Sequence, residues 1–140
     1  MRDYHARLEK YGISKWEYYE LKAFCRQYDI KRRRAEDVVN LHGQDLSGDV
    51  HGTGTPSDPV AAAAARREPL LRDINAIETA AAQTGGGGWE YAVIENCCRG
   101  VSYDVLPKEK LPSSKRTTFF EARREFFWRL KQIRESTYSE

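Results

Sequence analysis

The chain has 140 residues, with 23 Lys and Arg against 21 Asp and Glu, and is 40% hydrophobic and 31% charged. That is enough for one modest core, or for two small helical units sharing one, with extended polar segments. No run of eighteen apolar residues occurs, and the N-terminus lacks the charged-then-apolar pattern of a secretory signal, so a cytoplasmic protein without membrane contact is expected. Cys25, Cys97 and Cys98 are odd in number and fit reduced thiols.

A polar lead, Met1 to Gly12, precedes a firm helix start. Ser14-Lys15-Trp16-Glu17 is a capping box, and Ile13 can staple onto Tyr18. The apolar positions of this helix (Trp16, Tyr18 or Tyr19, Leu21, Ala23, Phe24, Cys25, Tyr28) wrap widely around it and call for more than one packing partner. Lys31-Arg32-Arg33-Arg34 follows, with Asp29, Glu36 and Asp37 close enough to neutralise most of it. The run reads either as a solvated turn or as a nucleic-acid arm. A second helical stretch, Ala35 to Leu41, completes an N-terminal unit over 1–41.

Residues 42–57 read as a Gly/Ser/Thr-rich linker. Its glycines lack the lysine and flanking strand of a phosphate-binding loop. Asp58 then caps a long alanine-rich helix, 58–84, with Pro59 at its first position. Val60, Ala63, Arg67, Leu70, Ile74, Ile77 and Ala81 form a seam at alternating three- and four-residue steps. It suits either an antiparallel partner within the chain or a homodimer. Pro69 predicts a kink or a split near Glu68. Thr84 and the four glycines after it end the helix.

The last unit, 89–136, carries the chemistry. Trp89 to Cys98 is a compact predicted helix closed by Gly100, and Ser102 can cap a short helix with Tyr103, Val105 and Leu106. Pro112 breaks the chain, and Ser113 or Ser114 opens a long helix with Phe119, Ala122, Phe126, Leu130 and Ile133 on one face, widened by Phe120 and Phe127. Lys108 to Arg134 holds nine Lys or Arg against three acids, a local excess of six on a chain of net charge +2. A short helix, a Ser-capped turn and a cationic helix are the parts of a helix-turn-helix. Its second helix reads base edges from its N-terminal residues while cations hold phosphates. Lys115 and Arg116 oppose the helix dipole at that end, a local conflict that suggests a function for the charge.

Gly100-Val101-Ser102-Tyr103, the Ser-rich turn, and Thr118-Phe119-Phe120-Glu121-Ala122-Arg123-Arg124-Glu125-Phe126-Phe127-Trp128 resemble the C-terminal part of phage and prophage late-transcription regulators of the RinA and ArpU type. The resemblance covers Trp89 to Arg134 best. It implies an all-α helical bundle ending in a helix-turn-helix like region 4 of sigma factors, with the recognition helix beginning near Ser114. It further implies a bacterial host cytoplasm, double-stranded DNA as partner, and host RNA polymerase as a candidate second one. On this reading Ser114, Lys115, Arg116 and Thr118 face bases, and Lys108, Lys110, Arg123 and Arg124 face phosphates.

Two other readings stand beside it. A small terminase subunit combines a helix-turn-helix with oligomerising helices in DNA packaging. A helical protein-interaction module would use Phe120, Phe127 and Trp128 as an aromatic contact surface without binding DNA. Whether Phe120 and Trp128 are core or contact residues stays open, as do the DNA sequence, the sign of regulation and the choice between monomer, homodimer and larger oligomer. An enzyme is not expected: His5, His42 and His51 are scattered, Cys97-Cys98 has no C-x-x-C partner, and Glu90 and Glu95 lie on different helix faces. No metal or cofactor site is predicted.

Overall fold

The computed structural model describes the backbone of residues 7–48 and 59–138, and the side chains of 7–38 and 59–137. The protein is all-α, and no strand occurs among the described residues. The principal helices are α1 (Lys15–Arg26), α2 (Tyr28–Gly48), α3 (Pro59–Gln83), α4 (Glu90–Val93) and α5 (Arg116–Tyr138). Expectations that fall on His5, on 49–57 and on the Asp58 cap lie outside the described residues.

The capping box of α1 forms as the sequence predicts. Ser14 Oγ accepts from the Glu17 amide at 3.2 Å, and Glu17 Oε1 accepts from the Ser14 amide at 2.9 Å. Tyr18, Leu21, Phe24 and Cys25 are buried, whereas Trp16 and Tyr19 are exposed. After one non-helical residue, Gln27, α2 begins and runs on to Gly48, beyond the Leu41 end expected from the apolar pattern. Once a helix is nucleated, each added residue gains a backbone hydrogen bond, so 42–48 need no apolar period to follow.

Three contacts fix α2 antiparallel to α3. Tyr28 Oη donates to Glu78 Oε2 at 2.6 Å, Lys31 pairs with Asp73 at 2.7 Å, and Arg67 Nε donates to the Ala35 carbonyl at 3.2 Å. These clasps lie on both sides of Pro69, and α3 continues through it as one helix rather than splitting near Glu68. The proline removes one backbone bond, while the two halves remain tied to the same partner. The α3 seam is covered within the chain: Ala63, Ile74, Ile77 and Ala81 are buried, and Val60 is exposed.

Thr84 terminates α3 from inside the core, its hydroxyl donating to the Ala80 carbonyl at 2.8 Å, and the chain turns through Gly85 to Gly88 with φ between +59° and +109°. A Cβ at Gly85 would sit 2.7 Å from the Trp89 ring, so both the backbone angle and the space require glycine there.

Beyond α4 the helix widens into a π-helical turn, Ile94–Cys98, closed by Gly100 at φ +74°. The turn leaves both Cys97 and Cys98 buried beside Cys25, all three as free thiols. Burial pushes the Cys25 thiol well above its ordinary range and the Cys97 thiol up to about 11. Both are therefore neutral and poor nucleophiles at physiological pH.

Helix α5 closes the bundle. It is parallel to α1, through Glu17–Lys131 at 3.0 Å and Glu20–Arg134 at 3.2 Å. It is antiparallel to α3, where Gly85 donates its amide to Glu125 at 3.1 Å and Ile133 shares a groove with Leu71 and Asn75. Phe119, Phe126, Phe127 and Leu130 have no exposed surface and form the centre of the core with Ile77, Val93 and Cys25. Burying each such side chain contributes roughly 1.5–3 kcal/mol.

Candidate nucleic-acid interface

Between Gly100 and Arg116 the backbone makes two single 3-10 turns, Tyr103–Val105 and Lys108–Lys110, where the first helix of the motif is expected. Ser102 caps the first of them, accepting from the Asp104 amide at 3.3 Å. With Pro107 and Pro112 bracketing the second turn, an α-helical run across this segment is disfavoured. The turns nonetheless seat α5 firmly. Tyr103 packs on Phe119 with ring centroids 4.9 Å apart and donates its hydroxyl to the Ser114 carbonyl at 2.8 Å. Leu106 and Leu111 are buried, while Val105 is 72% exposed.

Ser113 Oγ accepts from the Lys115 amide at 3.2 Å, which closes the turn that leads into α5. Ser114, Lys115, Arg116 and Thr117 are all exposed, and Thr118 is half-buried. Two sides of this turn differ in surroundings. Arg116 leans toward Asp104, 3.1 Å away, and lies 5.3 Å and 5.1 Å from the Tyr103 and Phe120 rings. Both members of that ion pair are mostly exposed, so it contributes little and is easily exchanged for another anion. Thr117 and Thr118 face the other way, onto an open cleft of about 860 Å³ that Arg7, Lys10, Gly85, Trp89 and Arg124 also line. Glu121 and Glu125 reach the same cleft, and Glu125 is held by Arg129 at 2.7 Å.

Three of the four cations expected on phosphates are turned to protein partners instead. Arg123 Nε donates to Asn96 Oδ1 at 2.7 Å, one of its terminal nitrogens donates to Tyr18 Oη at 3.0 Å, and the guanidinium lies 5.1 Å from the Phe127 ring. It is a strut between α1, the π-helical turn and α5. Arg124 is 6% exposed. Lys108 Nζ donates to the Tyr103 and Leu106 carbonyls at 2.7 and 2.8 Å and lies 4.3 Å from the Tyr103 ring, which fastens the loop. Lys110 is exposed above the Tyr91 ring, 4.9 Å from its centroid.

The sequence contained a signal for the two arginines. Position 123 has phenylalanines three and four residues away on both sides (Phe119, Phe120, Phe126, Phe127), and position 124 has Phe120 four before it and Phe127 three after it, which places both beside the apolar stripe and not opposite it. Arg7 and Lys10, from the polar lead, gave no such signal, because their place beside α5 depends on tertiary packing. Phe120 and Trp128 are half-buried against neighbours of the same chain, Tyr103 and Phe119 for the first and Tyr11 for the second.

The basic run after α1 is also divided among partners. Lys31 pairs with Asp73, Arg32 lies 5.5 Å from the Tyr28 ring and 3.9 Å from Asp29, and Arg99 brackets Asp29 at 3.0 Å. The Arg99 guanidinium holds the Asp29 carboxyl below its usual range. Among the described residues no three His, Cys, Asp or Glu side chains are placed to share a metal ion, and no helix is long and apolar enough to cross a membrane.

Comparison with protein-family models, with curated proteins and with solved structures finds no match to this chain.

Proposed function

We propose that the chain is a duplex-DNA-binding transcription regulator of the late phage type that its C-terminal third resembles, with the first turn of α5 as its reading element. The observation that carries this reading is the run of exposed polar and cationic side chains from Ser114 to Thr117, whose Thr117 end borders a cleft that Arg7, Lys10, Glu121 and Glu125 also line. N-terminal residues of a helix are the ones that reach base edges, and its unpaired amides suit phosphate oxygens. Ser114, Lys115, Arg116 and Thr118 keep the roles expected of them. The phosphate contacts move to Lys110, Arg7 and Lys10, because Arg123, Arg124 and Lys108 serve the fold.

The regular helix-turn-helix is not needed for this function. What the turn requires is rigid seating, which Tyr103, Phe119 and the Ser113 turn supply. The test is a gel shift on fragments of the DNA surrounding its own coding sequence, comparing the natural protein with Lys115→Ala/Arg116→Ala. Selective binding that the double variant loses supports the reading. An absence of duplex binding at low salt overturns it, and a large ring assembly in solution would move the function to DNA packaging.

A further inference from the structure

The buried face of α1 explains Tyr18, Leu21, Phe24 and Cys25, but not the other side of the helix. Trp16 is 73% exposed and Tyr19 40%, and the two rings meet edge to face with centroids 5.7 Å apart. A tryptophan loses apolar surface to water for no structural return in such a place, and large exposed aromatics concentrate at binding surfaces. The Lys15 ammonium lies 5.4 Å from the Trp16 ring and 5.9 Å from the Tyr19 ring, so a cation and two aromatic rings form one patch. Lys22, two helical turns further on, lies 5.3 Å from the Tyr18 ring.

The acids of α1 are held from behind. Glu17 is paired with Lys131 and bonded to its own cap, and Glu20 is paired with Arg134, both cations coming from α5. Lys131 and the Ser14 amide hold the Glu17 carboxyl below its usual range. Glu17 and Glu20 stay 45% and 71% exposed within those pairs, so what the outward face offers is two aromatic rings with Lys15 beside them, which suits a ligand with flat π-faces and negative charges between them.

We propose that Lys15, Trp16 and Tyr19 form a second nucleic-acid surface that binds unpaired bases of a single strand by stacking, with Lys15 and Lys22 on its phosphates. A duplex has its bases stacked on one another and offers no free face to Trp16, so this surface is selective for single strands. The inference does not depend on the reading of α5, which lies in the duplex-binding turn.

The test is a titration of a short fluorescein-labelled oligothymidine with the full chain, following the anisotropy of the label across a salt series. Trp16→Ala is expected to weaken binding by roughly 5- to 150-fold, the range that corresponds to stacking of one base on an aromatic ring, while Trp16→Phe retains most of the affinity. Circular dichroism of both variants should match the natural protein, because the side chain is outside the core. Duplex binding measured in parallel should be unchanged by Trp16→Ala and lost in Lys115→Ala/Arg116→Ala, which separates the two surfaces. Oligothymidine that fails to bind at low salt, or binds Trp16→Ala as well as the natural protein, overturns the proposal. So does a Trp16→Ala effect confined to self-association, which would make the patch a protein contact.

Discussion

Arg123→Ala separates a structural arginine from a DNA-contacting one. In the native chain this guanidinium bonds Asn96 of the π-helical turn and Tyr18 of α1 at 2.7 and 3.0 Å and stacks near Phe127. Hydrogen bonds to a charged group contribute about 1.5–3 kcal/mol each, and their truncation also leaves the Asn96 oxygen and the Tyr18 hydroxyl without this donor. The two bonds share one side chain that is partly solvated, so their losses overlap, and we expect roughly 2–4 kcal/mol of destabilisation in total. With a urea m-value of about 1–3 kcal/mol/M, the unfolding midpoint should fall by about 1–2 M. Arg123→Lys should recover little, because an ammonium cannot hold both partners in the planar fork geometry. The assay is equilibrium urea unfolding followed by far-ultraviolet circular dichroism, paired with duplex binding under native conditions. An unchanged midpoint together with reduced duplex affinity, rescued by lysine, would refute the strut and return Arg123 to the phosphates.

Other outcomes follow from the same packing. Gly85→Ala forces a Cβ at φ +59° to within 2.7 Å of the Trp89 ring and should cost about 2 kcal/mol, read as a lowered thermal midpoint. Phe126→Ala, at the centre of the core, should cost about 3–5 kcal/mol, and a loss below 1 kcal/mol by urea unfolding would contradict its burial. Native Cys25 and Cys97 should resist a thiol-specific reagent at neutral pH and react only after denaturant opens the bundle, because burial keeps both thiols protonated. Burial, aided by the Glu78 carboxylate, pushes the Tyr28 hydroxyl up to about 12 from an ordinary value of 10. The stability this proton supports is fully present below pH 10 and declines as pH rises toward 12, and Tyr28→Phe should flatten that alkaline limb in pH-dependent unfolding.

How far the chain could be read in advance depended on the range of the forces involved. The Ser14 cap, the glycine stop after Thr84, the Gly100 turn and the apolar stripe of α5 are local and were legible. Helix α2 outran its apolar pattern at Leu41 because propagation needs no side-chain period, and α3 ran through Pro69 because α2 clasps both halves. The candidate site divided in the same way. Ser114 to Thr117 are exposed by their own position in the first turn, whereas Arg7 and Lys10 reach the cleft through tertiary packing alone. Charge sets Arg123 and Arg124 toward phosphates, whereas their spacing from Phe120 and Phe127 sets them beside the apolar stripe, where Arg123 bonds Asn96 and Tyr18 and Arg124 is buried. Trp16, counted with the apolar set of α1, lies outside the core because the partners of that helix cover only the Tyr18, Leu21 and Cys25 side.

The most direct test of the central claim is the salt dependence of duplex binding, measured by fluorescence anisotropy for the natural protein and for Lys115→Ala/Arg116→Ala. Each lysine or arginine on a phosphate contributes about 0.9 to the slope of log affinity against log salt, so two lost contacts lower its magnitude by about 1.8. Side chains that read bases alter sequence preference instead. The account predicts a steep negative slope for the natural protein, and in the variant a shallower slope, a lost sequence preference, or both. Binding that is independent of salt, or a variant with the natural slope and the natural preference, would contradict it.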